Sequence, residues 1–189
     1  MSSSFASSAS PASSASPASS ASPATADLTT ERLTLRPWSS GEVADVLTGR
    51  RSAHWADDFP AEGDGVIAGV IAAQTAEGPA DPGAHGHRLI VERASGAVVG
   101  SISLLWPPHE GAVEFGYGVV ASRRGLGYAP EAARALVAHA LALPGVTAVY
   151  AQVELANPAS VRVLQKAGLR RVSGDGETAR YRATAPDQA

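Results

Sequence analysis

The chain has no cysteine, which removes disulfides, thiolate metal sites and any acyl-transfer route through an enzyme thiol. Charge is also sparse: 17% of the 189 residues are Asp, Glu, Lys or Arg, and the formal net charge is -3, so no overall positive field favours nucleic acid or an anionic membrane. No apolar run approaches the roughly 20 residues that span a bilayer, and the first residues lack the basic and apolar regions of a secretory signal. A cytoplasmic protein with no nucleic-acid or membrane partner is expected. The five histidines follow no ligand spacing. His54 and His109 read as loop residues, His85 and His87 as part of a glycine-rich connection, and His139 as helical, so no metal site is expected.

What is present divides into two parts. Residues 1–26 are almost wholly Ser, Ala and Pro, with "SASPAS" recurring and no charge. Such small side chains bury too little apolar area to offset the entropy of ordering, so a disordered tail is expected here. The remaining 27–189 are enough for one globular domain.

Within that domain "DLTTERLTLRPW" alternates Leu33 and Leu35 with polar neighbours before Pro37, the pattern of an edge strand. "SSGEVADVLTGR" predicts a helix capped by Ser40, and "EGDGVIAGVIAAQTA" a second. "HRLIVER", "GAVVGSISLLW" and "GAVEFGYGVV" predict three strands of an antiparallel meander, with "PPHE" as a loop. A helix with Ala133, Leu136, Val137, Ala140 and Leu141 on one face follows, then the strand "AVYAQVEL". "NPASVRVLQKAG" reads as a helix with Asn157 capping and Pro158 in its first turn, and "LRRVS" and "ETARYRAT" as closing strands. The expected fold is α/β: a mixed, mostly antiparallel sheet flanked by helices.

The junction "VVASRRGLGYAPEA" runs from a strand through Gly125 and Gly127 into a helix. Such a junction aims backbone N–H groups and the positive end of a helix dipole at one spot, and glycines let a phosphate come close. The same letters also read as a tight turn with solvated Arg123 and Arg124. A nucleoside-triphosphate P-loop falls well behind because no Lys-Ser or Lys-Thr follows Gly127, and a dinucleotide fingerprint because Pro130 stands where its third glycine belongs.

Four segments together, "TERLTLRPW", "VEFGYGVV", "SRRGLGYAPEA" and "NPASVRVLQKAGL", resemble the GCN5-related N-acetyltransferase (GNAT) superfamily, most closely its RimJ/RimL type that includes ribosomal-protein alanine acetyltransferases. The resemblance implies that acetyl-CoA is the co-substrate, its pyrophosphate held by backbone amides of the pattern [QR]xxGx[GA]. Here that assigns Val119, Val120, Arg124, Gly125, Leu126, Gly127, Tyr128 and Ala129 to the cofactor. Ser122 stands where Gln or Arg is usual, and Pro130 where relatives keep an N–H. The resemblance also implies that Asn157 contacts the pantetheine or thioester region and that Ser160 protonates the leaving thiolate.

Alternation along "AVEFGYGVV" places Glu114 on one face with Gly116 and Gly118, where a carboxylate has room for a ligand beside it, and Val113, Phe115, Tyr117 and Val119 on the other. Similar acetyltransferases often use a glutamate on this strand as the base; an exposed strand glutamate is the plainer reading. Tyr117 is expected in the core and Tyr128 beside the cofactor, both as alternative proton donors to Ser160. Trp55, Asp57, Asp58 and Trp106 can receive an amine, though the two aspartates also fit turn positions. Without cysteine the transfer is direct, in a ternary complex with an amine acceptor. An α-amine, with its reference pKa near 7.7 to 8.0, needs less deprotonation than lysine near 10.4. The other readings are a non-catalytic acyl-CoA-binding or sensing module and, third, a nucleotide-binding protein.

Overall fold

A computed structural model describes residues 26–76 and 86–185. Apart from Ala26, the segment read as a tail lies outside the described residues, as does His85.

Among the described residues eight strands and four α-helices follow in the order β1 (Leu28–Thr29), β2 (Leu33–Pro37), α1 (Ser40–Thr48), α2 (Glu62–Ala76), β3 (His87–Glu92), β4 (Val98–His109), β5 (Ala112–Val119), α3 (Tyr128–Leu141), β6 (Ala148–Glu154), α4 (Pro158–Lys166), β7 (Arg170–Gly174) and β8 (Thr178–Thr184). The strands form one sheet ordered β1-β2-β3-β4-β5-β6-β8-β7. Every pairing is antiparallel except β5 with β6. The meander β3–β4–β5 is present, and the crossover through α3 produces the parallel pair, as a strand–helix–strand unit requires.

Four local expectations are corrected. The cap of α1 is Ser39: its hydroxyl accepts from the Glu42 N–H while the Glu42 carboxylate accepts from the Ser39 N–H, a reciprocal capping box that leaves Ser40 as the first helical residue. β2 is internal, because the short β1 pairs along its outer side. The "PPHE" segment is mostly strand, since β4 runs on to His109 with an irregular register past Leu105, and the reversal is confined to Glu110 and Gly111 at φ 49° and 75°. His87 opens β3 and is buried, outside any connection.

Helix α3 lies against β1, β2, β4, β5 and β6, and α4 packs on α3 and β6. Its alanines let it sit close: Ala132, Ala133, Leu136 and Ala140 are fully buried against the sheet core of Leu33, Leu35, Ile102, Leu104 and Phe115. Helix α2 covers part of the opposite face, where the buried Asp64 accepts a hydrogen bond from Ser101 of β4 at 2.5 Å and another from the Ala61 N–H at 2.8 Å. Burial pushes the Asp64 carboxyl above its ordinary pKa, and these two bonds only partly offset that.

Gly100 is where β4 passes most tightly over β5. A Cβ there would fall inside the surface of the Gly118 carbonyl oxygen, a backbone atom that cannot swing away. Gly100→Ala is therefore expected to lower stability by about 3 kcal/mol, the upper range for overpacking, measured by urea denaturation; a loss below roughly 0.5 kcal/mol would show that the two strands can part at that point.

Candidate active site

Strands β5 and β6 share three rungs, Ala112–Ala148, Val113–Val149 and Glu114–Tyr150, and then separate. β5 continues to pair with β4 as far as Val119, and β6 with β8 as far as Glu154. The facing edges of residues 115–119 and 151–154 therefore form a wedge whose backbone donors and acceptors have no ladder partners across it. Backbone groups in such a place need either water or a ligand with amides of its own.

Glu114 lies on the last shared rung, on the sheet face it shares with Gly116 and Gly118. A Cβ on either glycine would meet nothing within 4 Å, so the space beside the carboxylate is open. Its rung partner Tyr150 was not singled out from the sequence. The Tyr150 phenol is held above its ordinary pKa by burial, by the Glu114 charge and by its hydrogen bond to that carboxylate, and the Arg180 guanidinium sits 4.6 Å over its ring. No pattern within "AVYAQVEL" marks this tyrosine, because only the register between strands distant in sequence sets it beside Glu114.

On the other face Phe115 and Tyr117 stack at 6.1 Å. Tyr117 was expected in the core, yet it is only half-buried: its hydroxyl reaches the Ser160 carbonyl at 3.4 Å, at the N-terminus of α4. Burial raises the phenol's pKa, so it remains protonated and able to donate. Asn157 caps α4 as its sequence suggested, accepting from the Ser160 N–H at 3.1 Å, with Pro158 behind it in the first turn. Glu114 and the Tyr117–Ser160 pair thus flank β5 from opposite faces at the wedge.

Past Val119 and Val120 the chain makes one 3-10 turn over Ala121–Arg123 and enters α3 through Gly125 and Gly127, at φ 78° and 82°. Both values lie in the left-handed region that side chains resist. Among the described residues no backbone carbonyl accepts from the amides of Gly125, Leu126 or Gly127, and those of Tyr128 and Ala129 belong to the first turn of α3, which has no intrahelical acceptors for them. Five consecutive N–H groups are available at one helix terminus. A Cβ on Gly125 would meet nothing within 4 Å, and one on Gly127 only the Arg32 guanidinium at 3.3 Å.

Side chains around this loop are turned to holding it. Ser122, at the departure from the family pattern, gives its N–H and hydroxyl to Asp58 at 2.8 and 2.7 Å, and these bonds lower the Asp58 pKa. Asp58, considered a receiver of the amine, is instead a brace for the loop. Arg124 folds back to the Val119 carbonyl at 3.1 Å. Tyr128, expected beside the cofactor, directs its hydroxyl to Glu92 at 2.5 Å, while Arg123 approaches the same carboxylate at 3.5 Å.

The main anchor was missed because its halves lie far apart in the chain. Glu131 in the first turn of α3 accepts from Thr30 Oγ1 at 2.6 Å, the Arg32 N–H at 2.9 Å and Arg32 Nε at 2.8 Å, while Arg32 Nη1 donates to the Leu126 carbonyl at 2.8 Å. Burial pushes the Glu131 carboxyl up, but the bonds from Thr30 and Arg32 outweigh it, and its pKa lies below the ordinary value. A carboxylate depressed in the folded state contributes stability above its unfolded pKa, near 4.3, and loses it as pH falls through the lower folded value. Stability measured across pH 7 to 2 should therefore fall more steeply below about pH 4.3 in the wild type than in Glu131→Gln; identical slopes would show that the pair is not coupled to folding.

A comparison with curated proteins finds no match. The family model described as "Acetyltransferase (GNAT) domain" matches residues 32–170. The chain belongs to the GNAT acetyltransferase family. Solved structures with similar folds include an acetyltransferase from Agrobacterium tumefaciens (24% identity, TM-score 0.59, covering 85% of this chain and 95% of that one). RimL, the ribosomal L7/L12 alpha-N-protein acetyltransferase in complex with coenzyme A, is 14% identical with TM-score 0.59 over 84% and 98% of the two chains. A spermidine N-acetyltransferase SpeG chimera of Vibrio cholerae and hSSAT is 14% identical with TM-score 0.58 over 82% and 96%. At these identities the likeness is one of fold.

The protein is thus an N-acetyltransferase, an enzyme of a family that takes acetyl groups from acetyl-CoA and passes them to amines. The residues present fit that co-substrate: available amides beside an open glycine suit a pyrophosphate, and an unpaired wedge suits the amide-bearing pantetheine arm. Gly125→Trp should keep the fold, at a backbone strain of about 1–3 kcal/mol, while filling this space. Calorimetry is expected to show acetyl-CoA binding by the wild type and none by the variant; unchanged affinity would move the phosphates off the glycine junction.

Proposed function

We propose that this acetyltransferase joins acetyl-CoA and a primary α-amine in a ternary complex at the wedge, with Glu114 as base and the Tyr117–Ser160 pair as the source of the proton for sulfur. The observation that carries the reading is the placement of Glu114 on one face of β5 and of Tyr117 with Ser160 on the other, at the point where β5 and β6 separate. A thioester lying in that gap has the amine approach from the open Glu114 side. Glu114 takes one proton from the amine, directly or through water, as its nitrogen forms the bond to the acetyl carbon. Unpaired N–H groups along the wedge polarise the thioester oxygen. As the carbon–sulfur bond breaks, the thiolate takes its proton from the Tyr117 phenol or the Ser160 hydroxyl. The reference thiol pKa near 8.5 makes thiolate an undemanding leaving group, so one donor suffices.

The cofactor role proposed for the loop is carried by the backbone amides from Gly125 to Ala129, together with Val119 and Val120 at the strand end. Tyr128 contributes its amide, since its side chain is turned to Glu92, whereas Arg124 gives its N–H to the Ala121 carbonyl and its side chain to the Val119 carbonyl and so shapes the loop rather than the phosphate contact. Asn157 holds α4 in place with Oδ1 and keeps its Nδ2 for the pantetheine region. The fold likeness to RimL supports an acceptor at a protein N-terminus, the RimJ/RimL kind of activity.

Glu114→Gln is expected to lower kcat by about 10²- to 10⁴-fold with acetyl-CoA affinity unchanged, measured by release of free CoA from a panel of α-amine and small-amine acceptors. Retention of full kcat would remove Glu114 from the chemistry. Tyr117→Phe and Ser160→Ala, assayed in parallel, identify the donor as the one whose loss lowers kcat while KM for acetyl-CoA holds.

A further inference from the structure

The rung that carries Glu114 continues across two more strands. Tyr150 of β6 is directly opposite Arg182 of β8, and Arg182 is directly opposite Arg170 of β7. Residues directly paired in a ladder point to the same face, so Glu114, Tyr150, Arg182 and Arg170 form one row. Adjacent strands lie about 4.8 Å apart, which puts the Arg182 backbone roughly 10 Å and the Arg170 backbone roughly 15 Å from that of Glu114. Arg180, two residues before Arg182 on β8, shares the face and lies over the Tyr150 ring.

All three arginines are exposed, and among the described residues none forms an ion pair. Helices α3 and α4 pack on the opposite face, and α2 reaches this one beside β4, on the far side of Glu114. The positive surface is local, because the chain as a whole carries a net charge of -3. Glu154 shares the face four residues beyond Tyr150, about 13 Å along β6 by strand rise.

We infer that this arginine row recognises the acceptor, and that the acceptor is a protein N-terminus with acidic side chains at its second to fourth positions. The inference rests on the proposed entry of the amine beside Glu114. An extended peptide rises about 3.3 Å per residue with successive side chains on opposite sides, so a chain whose amine lies at Glu114 and which runs outward over Tyr150 turns alternate side chains among those positions toward Arg182, Arg180 and Arg170. Guanidinium–carboxylate hydrogen bonds are roughly twice as strong as neutral ones, and the planar fork can hold both carboxylate oxygens. The same row repels an acceptor with a second ammonium group at that distance, which selects against a polyamine such as spermidine.

The test uses the full chain with saturating acetyl-CoA and three heptapeptides alike except for Glu, Gln or Lys at positions two to four, with spermidine as a fourth acceptor. Binding of each peptide to the CoA-loaded protein is measured by calorimetry alongside turnover. The Glu peptide should exceed the Gln peptide by about tenfold in kcat/KM, mainly through KM, with the Lys peptide and spermidine below both. The Arg170→Glu, Arg182→Glu double variant, its fold checked by its affinity for CoA, should reverse the order of the Glu and Lys peptides. Equal kcat/KM for the three peptides, preference for spermidine, or an order unchanged in the variant overturns the inference. Capture of a single-stranded RNA oligomer with no binding of the Glu peptide also overturns it. If no acceptor is acetylated yet the Glu peptide binds preferentially and the variant reverses that, the recognition surface stands and the catalytic assignment of Glu114 falls.

Discussion

Every N–H and C=O inside a sheet needs a partner, and β5 and β6 stop supplying each other's after the Glu114–Tyr150 rung. The remaining strand pairs run on at either side, so the break is a local opening in an otherwise continuous eight-stranded sheet. A parallel pair joined through a helix tolerates this better than a hairpin, because no short turn holds the two ends together. The opening sets out the chemistry. It exposes backbone groups for an extended ligand, leaves Glu114 at its closed end, and brings the N-terminus of α4 to one side through the contact of Tyr117 with Ser160.

An opening positions nothing unless its surroundings are stiff, and here stiffness comes from polar anchors outside the reacting centre. Glu131 and Arg32 tie the first turn of α3 to the β1–β2 corner and to the carbonyl of Leu126. The amides of the glycine junction are thereby fixed in direction before any ligand arrives, which is how a site of backbone dipoles becomes preorganised. The cost of two left-handed glycines in this turn is small, and the absence of their side chains leaves the approach clear.

Much of this was legible in the sequence wherever the determinants are local. Alternation set Glu114 with Gly116 and Gly118, helical spacing gave the buried stripe of α3, and Asn157-Pro158 announced the start of α4. What sequence left hidden is pairing across distance. Tyr150 reaches Glu114 through a register between strands separated by a whole helix, and Arg32 finds Glu131 from 99 residues away. Asp58 read as a turn residue or an amine receiver because Ser122, its partner, lies 64 residues away. Tyr117 looked like core because its neighbour Phe115 is core; only the wedge explains why one of two stacked rings is half exposed.

The bonds from Ser122 to Asp58 join the segment ahead of α2 to the loop ahead of α3. A ligand that stills one of these segments stills the other, and such linkage runs equally in both directions. The free energy with which a ligand on the glycine junction restrains the segment ahead of α2 equals that with which a restraint on that segment tightens the hold on the ligand. A contact remote from the ligand can in this way influence its affinity through lost motion alone, without a change of shape.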